Sequence, residues 1–181
     1  MEQIWLDEVR GKIKRRNQIL FSKDSILLEE LSLLIKIQNR RTLVLWALDL
    51  AEETVKVFEK NHPEETLPRN TVLAARAWAE GRIKMPVAKK AILSCHALAK
   101  NMACPADAAR CHAIAQGCSV VHTEGHAIGL PIYELTAIVR EKGIDHCREA
   151  VEQRNQTYID KLLYWHQHEP DCDGPWAAFL K

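Results

Sequence analysis

Glycine and proline are both scarce in this sequence. Seven of each in 181 residues is about 4% apiece, and for glycine that is below the usual share of about 7%. A chain with few turn-formers and much Ala and Leu favours long helices joined by short loops. An excess of one charge is missing too. Twenty-five Lys and Arg stand against 24 Asp and Glu, for a net charge of +1, so no overall field favours nucleic acid as a general partner. Long hydrophobic runs are absent: the stretch Leu43–Leu48 is closed by Asp49, which excludes a lipid-spanning reading. The opening residues, MEQIWLDEVRGKIKRRNQIL, place acids before the basic cluster and contain no apolar segment. No secretory leader is expected on that pattern. No stretch alternates with period two among β-branched residues, so no strand is expected. A phosphate-binding glycine loop is missing, because Gly125 and Gly129 have neither a third glycine nor a preceding strand. Gly-x-Ser-x-Gly does not occur either.

What is present is 47% hydrophobic and 27% charged, the composition of a globular domain. The expectation is all-α: one domain over 1–181, a helical bundle or array of about seven to eight helices. Helical periodicity covers 25–38, 41–60, 67–81, 86–101, 105–127, 131–143 and 145–166. Proline opens several of these segments, at Pro68, Pro86, Pro105 and Pro131, while Gly81 and Gly143 close two. Trp5, Val9 and Ile13 follow helical spacing near the start, weakened by Gly11. Segments 1–23 and 167–181 are expected to be peripheral, the latter irregular because of its HEPDCDGPW string. The run Arg10, Lys12, Lys14, Arg15 and Arg16 reads as a solvated helix face, with an acidic partner or nucleic acid as the alternative. Of six cysteines, Cys95, Cys104, Cys111 and Cys118 fall in Ala-rich helical pattern. There a free thiol packs as a small apolar group, and the expectation is a reduced, cytoplasmic protein.

The 105–127 segment carries two non-polar stripes. One holds Cys104, Cys111, Cys118, His122 and His126; the other holds Ala106, Ala109, Ala113, Gly117 and Val120. Such a helix is expected at the centre, with small residues permitting close backbone approach. His122 and His126 have the spacing at which two imidazoles on one helix share a metal. The string His-Thr-Glu-Gly-His, however, puts Thr123 where a zinc protease has Glu, and Glu124 projects about 200° from His122. The zinc-deaminase pattern fails as well, since only Cys104-Pro105 is present, reversed and upstream. A Cys118–His122 nucleophile pair has no identifiable orienting group or oxyanion site. No metal and no cofactor are therefore expected, and these histidines are read as packed and hydrogen-bonded.

Asp49, Arg76 and His96 sit at positions of helical stripes that should be buried. A charge there costs several kcal/mol unless paired. An Asp49–Arg76 ion pair is expected, extended by His96 or His122, either fixing helix register or forming a polar pocket or partner surface. Glu52, Glu53, Glu64 and Glu65 read as ordinary solvated carboxylates.

Several short strings, taken in order, carry a resemblance. They are Leu45-Trp46-Ala47-Leu48-Asp49-Leu50-Ala51-Glu52, Val57-Phe58-Glu59, Pro63, Pro68-Arg69, Ala74-Ala75-Arg76-Ala77-Trp78-Ala79-Glu80-Gly81, His96-Ala97, and His122 with His126-Ala127. Over about 43–135 the chain resembles the bacterial all-helical immunity proteins, the immunity-five-like domains of polymorphic toxin systems. The resemblance implies a small cytoplasmic helical protein that binds a cognate toxin and blocks it without catalysis. Asp49, Arg76, His96, His122 and His126 are the polar positions that match. The chain departs from the pattern in its cysteines at 95, 104, 111 and 118 and in its basic N-terminal region. Two alternatives remain open at this point: a metal-binding protein or enzyme built on a histidine-lined pocket, and a helical module that forms homo-oligomers.

Overall fold

Proline and glycine set several of the helix boundaries in the computed structural model, which describes residues 2–181; residue 1, the start of the segment expected to be peripheral, lies outside them. The elements are α1 (Glu2–Lys14), α2 (Glu29–Lys36), α3 (Arg40–Asn61), α4 (Leu67–Ala79), α5 (Met85–Leu98), α6 (Pro105–Ser119), α7 (Gly129–Lys142) and α8 (Arg148–His168). No strand occurs among the described residues. Pro68, Pro86 and Pro105 occupy the first turns of α4, α5 and α6, where a missing N–H costs nothing. Gly81 and Gly143 follow α4 and α7 with φ of 76° and 78°, a region that favours glycine. Asn39 caps α3 by accepting a hydrogen bond from the Thr42 amide at 2.9 Å.

Helix α6 is central and packs against α3, α4, α5 and α7. Its small stripe makes this possible. A Cβ on Gly117 would lie 2.6 Å from Leu130 Cδ1 and 3.1 Å from the Ala47 carbonyl oxygen, so α3 and α7 approach at a distance only glycine allows. Helix α8 covers the other side of α3 and also meets α7 and α2. One apolar core runs from Trp5 to Leu180. None of the described helices is long and apolar enough to cross a membrane.

Three features differ from the sequence reading. The helix expected over 105–127 stops at Ser119, and the chain turns through Val120–Thr123 into a short 3-10 turn at Glu124–His126. The cause comes from far along the chain: the Arg40 guanidinium donates to the carbonyls of Val121 (2.9 Å) and His122 (2.8 Å), satisfying oxygens that a longer helix would have used internally. At the N-terminal end, α1 forms despite Gly11, and Trp5, Leu6, Val9, Leu20 and Phe21 are all buried. At the C-terminal end, the irregular tail is docked: the Ala177 amide donates to the Ala79 carbonyl (2.8 Å), Arg41 Nε donates to the Leu180 carbonyl (2.6 Å), and Leu180 is buried.

Candidate functional site

Three of the five polar residues singled out in the sequence meet at one place. His96 from α5, and His122 and His126 from the segment after α6, line a cavity of about 210 Å³ with Trp78, Met85, Lys89, Ile92, Leu93 and Ser119. Because α6 ends early, His122 and His126 reach this cavity from a turn and not from successive rungs of one helix. His122 is exposed and stacks on Trp78 with ring centres 5.9 Å apart. His126 is half-buried, and its Nδ1 donates to Gln116 Oε1 at 2.7 Å. Gly129 gives Gln116 its room, since a Cβ there would fall 2.7 Å from that same oxygen. His96 Nδ1 lies 2.9 Å from His112 Nδ1; one ring donates and the other accepts, so the pair carries at most one charge. His112 in turn packs on Tyr133, ring centres 5.0 Å apart.

Burial disfavours the charged form of His96, His112 and His126. Burial, and then the neighbouring His112 and His126, push His96 down to about 4. Burial lowers His112, and burial followed by His122 lowers His126. The thiols beneath are equally quiet. Burial pushes Cys95 and Cys111 up to about 12, and Cys118 well above its ordinary value. A protonated thiol is a poor nucleophile and a poor metal ligand. Among the described residues no three His, Cys, Asp or Glu side chains come together as a metal site.

Asp49 and Arg76 are elsewhere, and the ion pair expected between them does not form. Asp49 accepts from Lys161 Nζ (2.8 Å) and Trp165 Nε1 (3.0 Å) of α8. Arg76 instead pairs with Glu52, both side chains more than a third exposed. Within about one turn of α3 the acids point at different neighbours: Asp49 and Glu53 face α8, while Glu52 faces α4. The face assigned to Arg76 is also less buried than its pattern implies, since Leu73 is exposed.

Two buried networks escaped the sequence reading. Glu134 of α7 accepts from Thr54 Oγ1 (2.9 Å), the Tyr158 hydroxyl (2.7 Å) and both Nε and Nη2 of Arg154 (3.1 Å each). Arg154 continues to Glu53 (2.7 Å), which also meets Lys161 (3.0 Å). Glu53 is therefore not an ordinary solvated carboxylate: burial alone would raise its pKa, but the hydrogen bonds from Arg154 and Lys161 outweigh this and lower it. The second network joins Asp107, Arg110, His62 and Glu141, with Asp107 to Arg110 at 2.7 Å and to His62 at 2.9 Å. Burial again opposes ionisation, and the bonds from His62 and Arg110 win, holding Asp107 below its ordinary range. The signal for the second was available, since Asp107 and Arg110 stand three apart in an Ala-rich segment. Both networks lock helices together, and neither opens onto the histidine cavity.

The fold and the site thus define an all-helical protein with a small, apolar-walled pocket lined by three histidines. Over residues 33–161, well over half of its length, the chain matches the family described as Imm-5 like putative immunity protein. The chain belongs to that family. Comparison with curated proteins gives no match, and comparison with solved structures gives none.

Proposed function

We propose that this protein is an immunity protein that binds a cognate bacterial toxin, in the cytoplasm that both share, and neutralises it by forming a non-catalytic complex. Family membership over 33–161 carries the reading. The chemistry of the pocket supports it. His96 and His126 are held neutral by burial, each already engaged through Nδ1, and the Cys95 thiol next to His96 in the chain stays protonated. Groups in that state favour recognition over acid–base or nucleophilic work at neutral pH. In this reading His96, His122 and His126 lie in the recognition region, while Asp49 and Arg76 hold helices in place. The test is growth rescue. Cells expressing the toxin domain encoded beside this gene should survive when this protein is co-expressed, and should die with an unrelated helical protein in its place. Equal killing in both cases would overturn the proposal. A stoichiometric zinc ion in the purified protein would point instead to the metal-binding alternative.

A further inference from the structure

Between Glu80 and Asp107 the chain has no carboxylate side chain, yet it carries Arg82, Lys84, Lys89, Lys90 and Lys100. In a protein of net charge +1 this is a local concentration of one sign. The stretch contains all of α5, which packs inward against α4 and α6 and leaves its other face open. On the open face, Lys89 and Lys90 are exposed beside Val87 (57% exposed) and Leu93 (56%), with Met85 at the end (39%). None of the four lysines has an ion pair among the described residues, whereas Arg82 pairs with Glu80. Lys89 and Leu93 also form the rim of the histidine cavity, and no carboxylate lines that cavity. Trp78 and His122, stacked with ring centres 5.9 Å apart, also line it.

We infer that the outer face of α5, together with the adjoining cavity, is the docking surface for the toxin, and that the toxin presents to it an acidic segment with a protruding apolar side chain. This rests on the immunity reading and names its surface. The charge argument fixes the sign of the partner, because lysines without an ion pair, beside a cavity that no carboxylate lines, gain most from carboxylates and repel a basic face. The aliphatic residues between the lysines fix its class. Nucleic acid is held by cations with polar or aromatic neighbours, whereas Val87, Leu93 and a 210 Å³ apolar-walled cavity suit the anchor side chain of a protein. Lys89, which lines the cavity, then meets the carboxylates flanking that anchor.

The experiment is calorimetric titration of the purified toxin domain encoded beside this gene, with circular dichroism confirming that each variant is folded. Lys89→Glu/Lys90→Glu and, separately, Leu93→Asp should each weaken binding by about tenfold or more. Lys56→Glu/Lys60→Glu makes the same charge change on exposed positions of α3 and should leave binding within about twofold of wild type. Wild-type affinity should fall as salt rises. If the α5 variants bind as wild type does while Glu29→Lys/Glu30→Lys on α2 abolishes binding, the surface is misassigned and the immunity reading survives. A short DNA duplex that binds wild type more tightly than the toxin, and is released by the lysine variants, would make the face a nucleic-acid surface and overturn the inference. No binding of the toxin by wild type would overturn both readings together.

Discussion

Replacing Gly117 with alanine sets two physical effects against each other at the centre of the bundle. Helix propensity alone predicts a gain, because alanine in a helix interior is more favourable than glycine by about 1 kcal/mol. Packing predicts the reverse. The new methyl would lie 2.6 Å from Leu130 Cδ1, 3.1 Å from the Ala47 carbonyl oxygen and 3.3 Å from Ala51 Cβ, against a comfortable carbon–carbon separation of about 3.5–4.0 Å. Leu130 Cδ1 is the end of a side chain, but Leu130 and Ala51 are fully buried and the oxygen belongs to the α3 backbone, so the methyl can move only into packed core. Overpacking of this kind costs about 2–3 kcal/mol, and subtracting the propensity gain leaves a net loss of about 1–2 kcal/mol. For a chain of this size that is a fall in Tm of about 2–8 °C. Urea unfolding and a thermal melt of Gly117→Ala measure it directly. Adding Leu130→Ala should cost less in the Gly117→Ala background than in wild type, since the two share one space. A Gly117→Ala protein more stable than wild type would refute the close approach of α3, α6 and α7.

Three further outcomes follow from the polar groups. His96 titrates near 4 in the folded protein against 6.5 ordinarily, so its contribution is intact above about pH 6.5 and is lost as pH falls toward 4, where the unfolded chain binds the extra proton. After allowing for its partial exposure the loss is about 1–2 kcal/mol. Urea midpoints from pH 7 to 4 should fall more steeply for wild type than for His96→Gln, and parallel curves would contradict the neutral cluster. Glu134→Ala leaves Arg154 with only Glu53 and strands the Tyr158 hydroxyl, costing about 3 kcal/mol in denaturant; a loss below about 0.5 kcal/mol would show that the network is not closed. A double-mutant cycle of Asp49→Ala with Arg76→Ala should be additive within about 0.5 kcal/mol, because each acts through a different partner. Coupling well beyond that would restore the ion pair that the structure does not form.

Helices were readable wherever local chemistry decides them. Pro68, Pro86 and Pro105 mark starts and Gly143 marks an end because their backbone restrictions operate whatever surrounds them. The end of α6 was not readable, since Arg40, some eighty positions earlier, supplies the groups that stop it. The same limit governs charge pairing. Periodicity put Asp49 and Arg76 on faces expected to be buried, where both are only partly so, and it could not say that α8 lies beside Asp49 or that Glu52, one turn on, reaches Arg76 first. His96, His122 and His126 do meet. Their meeting depends on the break after Ser119, so it arose by a different geometry from the helical stripe that drew attention to them. Glu134 gave almost no local sign: its partners come from α3 and α8, and nothing in the α7 sequence names them.

Neutralisation by complex formation has a signature distinct from enzymatic inactivation, and stoichiometry measures it most directly. Titrating this protein into a fixed amount of the toxin domain, with toxin activity as the readout, should give a linear fall to an end point at one molecule per toxin. Toxin released from the complex by denaturant and refolded should then recover its full activity and its original mass. Inactivation by far less than one equivalent, or a toxin that returns with an altered mass, would contradict the account.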